Sequence, residues 1–412
     1  MSEKTIVVIG GGIAGMTAAL EAAETGCKAV IVEKGPSLGG RVARLNQYFP
    51  KMCPPACGME INLRRIKNNP DIQVYTLAEV SSISGSAGNF EVTVTQKPRY
   101  VNGNCTMCGD CTAACSKEID DEYNLGMKKI KAAYLPHKMA FPARFVIDPS
   151  IIGTDDAQKV KAACKYGAVD LDMKEQQIKV SAAAVIVATG WQPFDAAKVS
   201  YYGGGKFKNV ISNVQLERIS SKDGPTEGKI LRPSDGKGIE SIAFVQCAGS
   251  RDENFLNYCS GVCCSATIKQ IGYIREQYPN AKIYVFYIDI RTPGRLEDLY
   301  MKAQEDTNTV FQKGKVAGLE EKGDKMLVKA EDTLSGLKSE QEVDLVVLAT
   351  GMEPNIKETG LPGGVSLDAN GFVIPGDGIF AAGAAKRPVD VATSTQDATG
   401  AALKALQCTV RK

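Results

Sequence analysis

An α/β chain built on a doubly wound, dinucleotide-binding sheet and interrupted by a cysteine-rich insert is what this sequence predicts. Three observations carry that expectation. A glycine-rich turn follows the first apolar run, two later apolar runs end in the same Ala-Thr-Gly triplet, and eight of 13 cysteines crowd into two short stretches. The 412 residues suffice for roughly two to four domains rather than one small module. Lys and Arg total 49 against 47 Asp and Glu, a net charge of +2, and no basic stripe suggests a nucleic-acid groove. The longest apolar runs fall far short of the roughly 18 residues that read as a membrane span. The N-terminus enters a strand at once, with no cationic flank and apolar core. No secretory signal is therefore expected, and the expected location is cytoplasmic, at a membrane only through partners. Thirteen cysteines in such a chain argue for metal or redox chemistry over a disulfide framework. The single histidine, His137, is expected on the surface or in a loop and cannot build a multi-histidine site.

The opening, KTIVVIGGGIAGMTAALEAAETGCKAVIVEKGPSLGGR, places Gly10, Gly12 and Gly15 between a β-branched run and an alanine-rich helix. A second apolar run ends at Glu33. Glycines in this context let a backbone approach a pyrophosphate at the helix N-terminus, and the later acid binds a ribose hydroxyl. The Gly39-Gly40-Arg41 element beyond it resembles the glycine doublet of the flavoprotein superfamily that includes disulfide reductases and amine oxidases. That resemblance implies FAD. AAAVIVATGWQPF (182–194) and VDLVVLATGMEPN (343–355) look like the segments that join flavin and second nucleotide-type domains in that superfamily. Thr189, Gly190 and Val80 join the candidate flavin set, as does Gly383 near the C-terminus. There the superfamily usually has Asp after the glycine, and this chain has Ala384. A helix N-terminus around Gln396 is expected to face the flavin pyrimidine with its partial positive charge.

Between these segments lies CTMCGDCTAAC, with Cys105, Cys108, Cys111 and Cys115 at the C-x2-C-x2-C-x3-C spacing of a bacterial-type ferredoxin. Zinc is the competing reading, although its knuckles come as paired C-x2-C units. In two-cluster ferredoxins the fourth cysteine of each run serves the other cluster. A second run survives only as ACKYGAVDLDM around Cys164, and the same spacing counted back meets Val160, Ala157 and Thr154, none of them an iron ligand. Cys105, Cys108, Cys111 and Cys164 are therefore expected to hold one [4Fe-4S] cluster, with Cys115 as the alternative fourth ligand.

From Gly238 onward, ESIAFVQCAGSRD stands where a two-dinucleotide reductase carries its nicotinamide fingerprint, so no second pyrophosphate cradle is expected. NYCSGVCCSATIKQIGYIREQ follows, with Cys259, Cys263 and Cys264 at a helix start close to Cys247. A helix N-terminus is expected to lower thiol pKa, which suits metal ligation. A second [4Fe-4S] cluster, a redox-active disulfide and buried packing are the three readings of this set. Cys53 and Cys57, in FPKMCPPACGMEI, stand near the flavin, supply an outside ligand, or simply sit in a rigid loop; Cys27 and Cys408 read as core or tail residues.

QCAGSRD, YCSGVCC, RPSDGKG, DIRTPGRLEDLYMKAQED and the ferredoxin run together resemble the flavoprotein component of heterodisulfide reductase, its A polypeptide, from Ile6 to about Leu406. With its degenerate second run the chain is similar to the corresponding A polypeptide of the quinone-interacting membrane-bound oxidoreductase complex of sulfate reducers. That resemblance implies a larger flavo-iron-sulfur B subunit, a haem-bearing membrane C subunit, and coupling of the menaquinone pool to adenylylsulfate reductase. The implied fold is a disulfide-reductase-type two-dinucleotide fold with a ferredoxin-like insert. Expected segments are 1–97, 176–237 and 351–412 for the flavin domain, 98–175 for the insert and 238–350 for the central domain. No acid–base catalyst is evident, so the redox centre is the flavin. The competitors are a heterodisulfide-reductase-type subunit that bifurcates electrons, an NAD(P)H-dependent disulfide or polysulfide reductase using Cys263 and Cys264, and a non-catalytic assembly subunit.

Overall fold

Five short parallel strands form one sheet in the computed structural model, which describes residues 4–203, 205–358 and 360–410. Their order is Ile379–Ala381, Ala184–Val187, Thr5–Ile9, Lys28–Glu33 and Ile72–Thr76. The strand Thr5–Ile9 is buried on both faces, which is why it reads as an unbroken apolar run. Ile6 and Val8 pack with the helices Ile13–Glu24 and Val391–Val410. Val7 and Ile9 face the other way, against Ile83, Phe90, Val92 and Val94 of a three-stranded antiparallel sheet. The two helices meet through buried alanines, among them Ala18, Ala22, Ala398 and Ala402, whose small side chains let backbones approach. Cys27 and Cys408 are buried in the same core, as the sequence suggests.

The cysteine-rich insert leaves from this antiparallel sheet. Strand Asn89–Gln96 pairs with Gln176–Ala182, and Gln96 lies opposite Gln176, so chain exit and re-entry are neighbours. Residues 97–175 thus loop out without breaking the sheet, close to the expected limits. They have their own core of Val101, Phe145, Ile147, Ala157, Val160 and Val169. Around it lie two small hairpins and the helices Asp110–Ala114 and Asp155–Ala163.

The chain divides into two compact units, one of residues 1–44, 55–191 and 354–412, the other of 45–54 and 192–353. The second is built on a seven-stranded sheet ordered Val210–Ser212, Leu345–Thr350, Ser241–Ala248, Lys282–Tyr287, Thr309–Lys322, Lys325–Asp332 and Lys338–Val343. Its first five strands run parallel and its last two antiparallel. This division differs from the expected boundary at 237/238. Residues 192–237 belong to the second unit because Val210–Ser212 bonds to Leu345–Thr350 and leads into the helix Asn213–Ile219, whose capping box joins Ser212 and Gln215.

Leu45–Pro54 also belongs to the second unit, held by a buried polar network. Lys269 Nζ lies 2.8 Å from Glu217 Oε1, the two side chains being 3% and 4% exposed. Lys269 also donates to the Gln47 carbonyl at 2.6 Å, and the Asn46 amide donates to Glu217 Oε2 at 3.1 Å. Removing one partner of such a pair strands a buried charge. Lys269→Met is expected to destabilise this unit by about 3 kcal/mol, read from urea denaturation. The double variant Glu217→Gln with Lys269→Met should recover part of the loss, and an unchanged midpoint in the single variant would refute the network's role.

Candidate functional site

The glycine turn is shaped by backbone meeting backbone. Gly10 has φ +107°, and a Cβ there would lie 2.3 Å from the Ala188 carbonyl oxygen. A Cβ on Gly15 would sit 1.8 Å from the Gly10 oxygen, so nothing larger than glycine fits. Gly40, at φ +55°, approaches Gly12 so closely that its Cβ would be 2.9 Å from the Gly12 Cα. Gly39 takes φ +116°, and its added Cβ would meet Met59 Sδ at 2.9 Å. The helix that follows Gly12 has no side-chain cap, leaving its first amides for an anion. Glu33 closes the turn by accepting from the Gly11 and Gly35 amides, both at 2.6 Å. Burial pushes its carboxyl up, against the pull of those amides and of Arg44.

Arg41 is a half-buried cation with an unanswered donor. Its Nε donates to the Trp191 carbonyl, and its guanidinium lies 5.0 Å from the centre of the Trp191 ring. Among the described residues its buried Nη1 has no hydrogen-bond partner, nor does the buried Thr189 Oγ1. Burial, then Arg44, lowers the Arg41 pKa to about 10. A guanidinium desolvated in this way calls for an anion. The residues present therefore fit a dinucleotide pyrophosphate, and Trp191 is the partner that sequence reasoning missed. Gly190, at φ +70°, continues from Thr189, whose carbonyl accepts from Asn355 Nδ2 at 2.6 Å.

Three other expected flavin residues lie in different local settings. Val80 is half-buried in strand Ala78–Ser86 and packs on the core of Phe90, Val92 and Val94. Gly383, at φ +60°, packs beside Ala14 and Ser394, and Ala384 beside it is buried. Gln396 does not mark a helix N-terminus. The helix starts at Val391, because Asp390 Oδ1 accepts from the Thr393 amide at 2.7 Å, and Gln396 is an exposed residue inside it.

In the insert, Cys105, Cys108, Cys111 and Cys164 line one pocket, closed by Val101, Phe145 and Tyr166. Cys164 Sγ accepts from the Ala168 amide at 3.3 Å. Burial raises its thiol, yet the amides of Ala168, Tyr166 and Val169 together bring it below the ordinary value. Cys111 is pushed up to about 11, first by burial and further by Cys105 and Cys108, with Thr112 opposing. Cys115 does not line this pocket. Its Sγ lies 3.5 Å from Asp156 Oδ2 and 3.6 Å from the Lys117 carbonyl, and burial raises its thiol against the amides of Ala133 and Ala132. Asp156 also accepts from the Ser116 and Lys117 amides. Ala157 and Val160 are fully buried, so hydrocarbon fills the place of the lost second run. Among the described residues no His, Cys, Asp and Glu group closes tightly enough for a lone metal ion. The four thiols frame a pocket instead.

The second cysteine set gathers at one end of the seven-stranded sheet. Cys247 sits at the end of strand Ser241–Ala248 with φ +55°, and Cys263 and Cys264 begin the helix Cys263–Gln277. Cys259, between them, accepts from the Gly261 amide at 3.3 Å. The thiols of Cys247, Cys263 and Cys264 are raised, where the helix-terminus argument expects lowering. Burial raises Cys263 strongly, with Cys247, Cys264 and Cys259 adding to it, and burial pushes Cys247 up to about 11. Desolvation and mutual repulsion outweigh the helix dipole. Gly249, at φ +75°, packs directly on the Phe194 ring, which a Cβ there would meet at 2.1 Å. Cys53 is half-buried, Cys57 is exposed in the first turn of helix Ala56–Asn68, and neither lines the two cysteine pockets. His137 lies in a loop, stacked on Tyr123 at 5.1 Å.

A family model described as FAD dependent oxidoreductase matches residues 5–55, the segment of the glycine turn. Thioredoxin reductase of T. acidophilum shares the fold, with TM-score 0.53 at 15% identity over 99% of this chain and 100% of its own. That of Lactococcus lactis gives 0.53 at 13% over 99% of each chain. The class is thus an FAD-dependent oxidoreductase of thioredoxin-reductase-like fold. Among curated relatives, the A polypeptide of the ferredoxin/F420H2-dependent CoB-CoM heterodisulfide reductase of Methanosarcina acetivorans is 38% identical over 98% of this chain and 53% of its own. The iron-sulfur A polypeptide of the CoB-CoM heterodisulfide reductase of Methanocaldococcus jannaschii is 38% identical over 97% of this chain and 63% of its own. The chain belongs to the family of heterodisulfide reductase A polypeptides, and spans between about half and two thirds of these relatives' lengths.

A charge-assisted hydrogen bond contributes roughly 1.5–3 kcal/mol. Arg41→Met is therefore expected to weaken FAD binding at least about tenfold, measured by flavin titration of the apoprotein. Arg41→Lys should recover part of the loss, and unaltered affinity in Arg41→Met would remove Arg41 from the site.

Proposed function

We propose that this chain is the flavin and iron–sulfur electron-transfer subunit of a multi-subunit redox complex. The observation that carries the reading is the pocket framed by Cys105, Cys108, Cys111 and Cys164 in the same compact unit as the dinucleotide turn. A flavin takes up two electrons and releases them singly, whereas iron–sulfur clusters carry one at a time. The chain's own residues have matching tasks. Glu33 is held in place for a ribose hydroxyl and Arg41 for a pyrophosphate. The Ala168 amide supports the Cys164 sulfur as a ligand to a [4Fe-4S] cluster, and Cys115 stays a thiol. Cys247, Cys259, Cys263 and Cys264 hold a second such cluster, which supplies the countercharge that four clustered, desolvated thiolates need.

The complex we favour links the menaquinone pool to adenylylsulfate reductase, and its other members are a flavo-iron-sulfur B subunit plus a haem-bearing membrane C subunit. The packed-out second ferredoxin run supports this reading. Among the described residues no helix is long and apolar enough to cross a membrane, so membrane contact is assigned to the C subunit. The second reading, a heterodisulfide-reductase-type component that works without quinone, is favoured by the names of the curated relatives.

Anaerobically purified protein is expected to contain about 8 iron per FAD, with matching acid-labile sulfide. Cys164→Ser should halve the iron and Cys115→Ser should leave it unchanged. The reverse pattern would transfer the fourth ligand to Cys115, and FAD without iron would sink the electron-transfer reading. In the purified complex, reduction by a menaquinol analogue followed by transfer to adenylylsulfate reductase favours the first reading. Reduction of a heterodisulfide without quinol favours the second.

A further inference from the structure

The two cysteine pockets differ in charge. Among the described residues the lining around Cys105 to Cys164 includes no charged side chain, and the nearby buried Arg99 turns its donors to the Pro36 and Arg144 carbonyls and the Thr76 hydroxyl. The pocket at Cys259 is lined by Arg251, Arg291, Asn257, Asp252 and Glu253. Arg251 Nη1 pairs with Asp289 Oδ1, and Arg291 Nη2 lies 3.3 Å from Asp289 Oδ2. One carboxylate therefore bridges two guanidinium groups, leaving a surplus of one positive charge in this triad. Asp252 is matched by Lys315 at 2.9 Å, Glu253 is exposed, and of the two cations Arg251, at 25% exposure against 47% for Arg291, is the less screened by water and salt. The triad adjoins the thiols directly, since Cys264 Sγ lies 3.8 Å from the Asp289 carbonyl oxygen. Arg251 is held at φ +57°, a conformation rarely adopted by a residue with a side chain, and its amide donates to the Tyr258 carbonyl at 3.2 Å.

An electron added to an iron–sulfur centre is an added negative charge, so fixed cations nearby favour the reduced form and fixed anions oppose it. We infer that Arg251 and Arg291 raise the reduction potential of the Cys247/Cys259/Cys263/Cys264 centre and that Asp289 offsets part of that effect. The inference rests on the reading that this set holds a cluster. Each transfer it governs moves one electron: the donating centre is oxidised by one and this centre reduced by one, with no bond made or broken. Arg251, Arg291 and Asp289 act through charge on the centre and ligate nothing.

The test is an anaerobic potentiometric titration of the complete iron-loaded protein, followed by electron paramagnetic resonance. Arg291→Gln should lower the midpoint of this centre by about 59 mV, a tenfold change in its reduced-to-oxidised ratio for one electron. Arg251→Gln should move it the same way, Arg291→Lys should keep most of the native value, and Asp289→Asn should raise it. A merely structural role would move the Arg291→Gln and Asp289→Asn midpoints in one direction, and that result, or no movement in either, overturns the inference. About 4 iron per chain in the unsubstituted protein, with this centre's signal absent, would instead overturn the two-cluster reading beneath it.

Discussion

Close backbone apposition at the glycine turn is the constraint on which the rest of the flavin unit depends. Gly15 must lie under the Gly10 carbonyl, and Gly40 must lie against Gly12, before the first helix can present open amides. The same apposition places Arg41 directly after the doublet, where the Trp191 carbonyl and ring hold it with one donor unanswered. Packing of small residues, anion affinity and orientation of a bound dinucleotide are thus one geometric fact. A larger side chain at Gly10, Gly15 or Gly40 would force apart two backbone segments rather than crowd a flexible neighbour.

The insert shows how a fold can take in a cysteine-rich segment without disturbing its sheet. It leaves and returns at paired residues of one antiparallel ladder, so its own core can form separately. Within it two cysteines at helix ends have different surroundings. Cys164 lines the pocket and accepts from the Ala168 amide, whereas Cys115 lies outside it beside Asp156. The second cysteine set meets a different problem, since burial raises the thiols of Cys247, Cys263 and Cys264 while the triad of Arg251, Asp289 and Arg291 lies beside them.

Local signals in the sequence were enough for the glycine turn, Glu33, the apolar strands and the ferredoxin spacing, because each depends on residues close in the chain. The grouping of Cys164 with Cys105, Cys108 and Cys111 follows from a repeat whose spacing outlasted its ligands. What the sequence did not disclose depends on distant partners. Residues 45–54 and 192–237 join the second unit through Glu217, Lys269 and an edge-strand pairing, none of which leaves a local pattern. The last helix begins at Val391 rather than near Gln396 because Asp390 caps it, a signal that is present in the sequence but is masked by the alanine-rich stretch beyond. The thiols at Cys263 and Cys264 are raised rather than lowered, because burial depth is invisible to a motif.

Diffraction from anaerobic crystals at the iron absorption edge would locate iron in the insert. If Cys105, Cys108, Cys111 and Cys164 bind it, an anomalous peak is expected enclosed by those four sulfurs, with Cys115 beside Asp156. A peak bonded to Cys115, with the Cys164 sulfur free, would contradict that assignment.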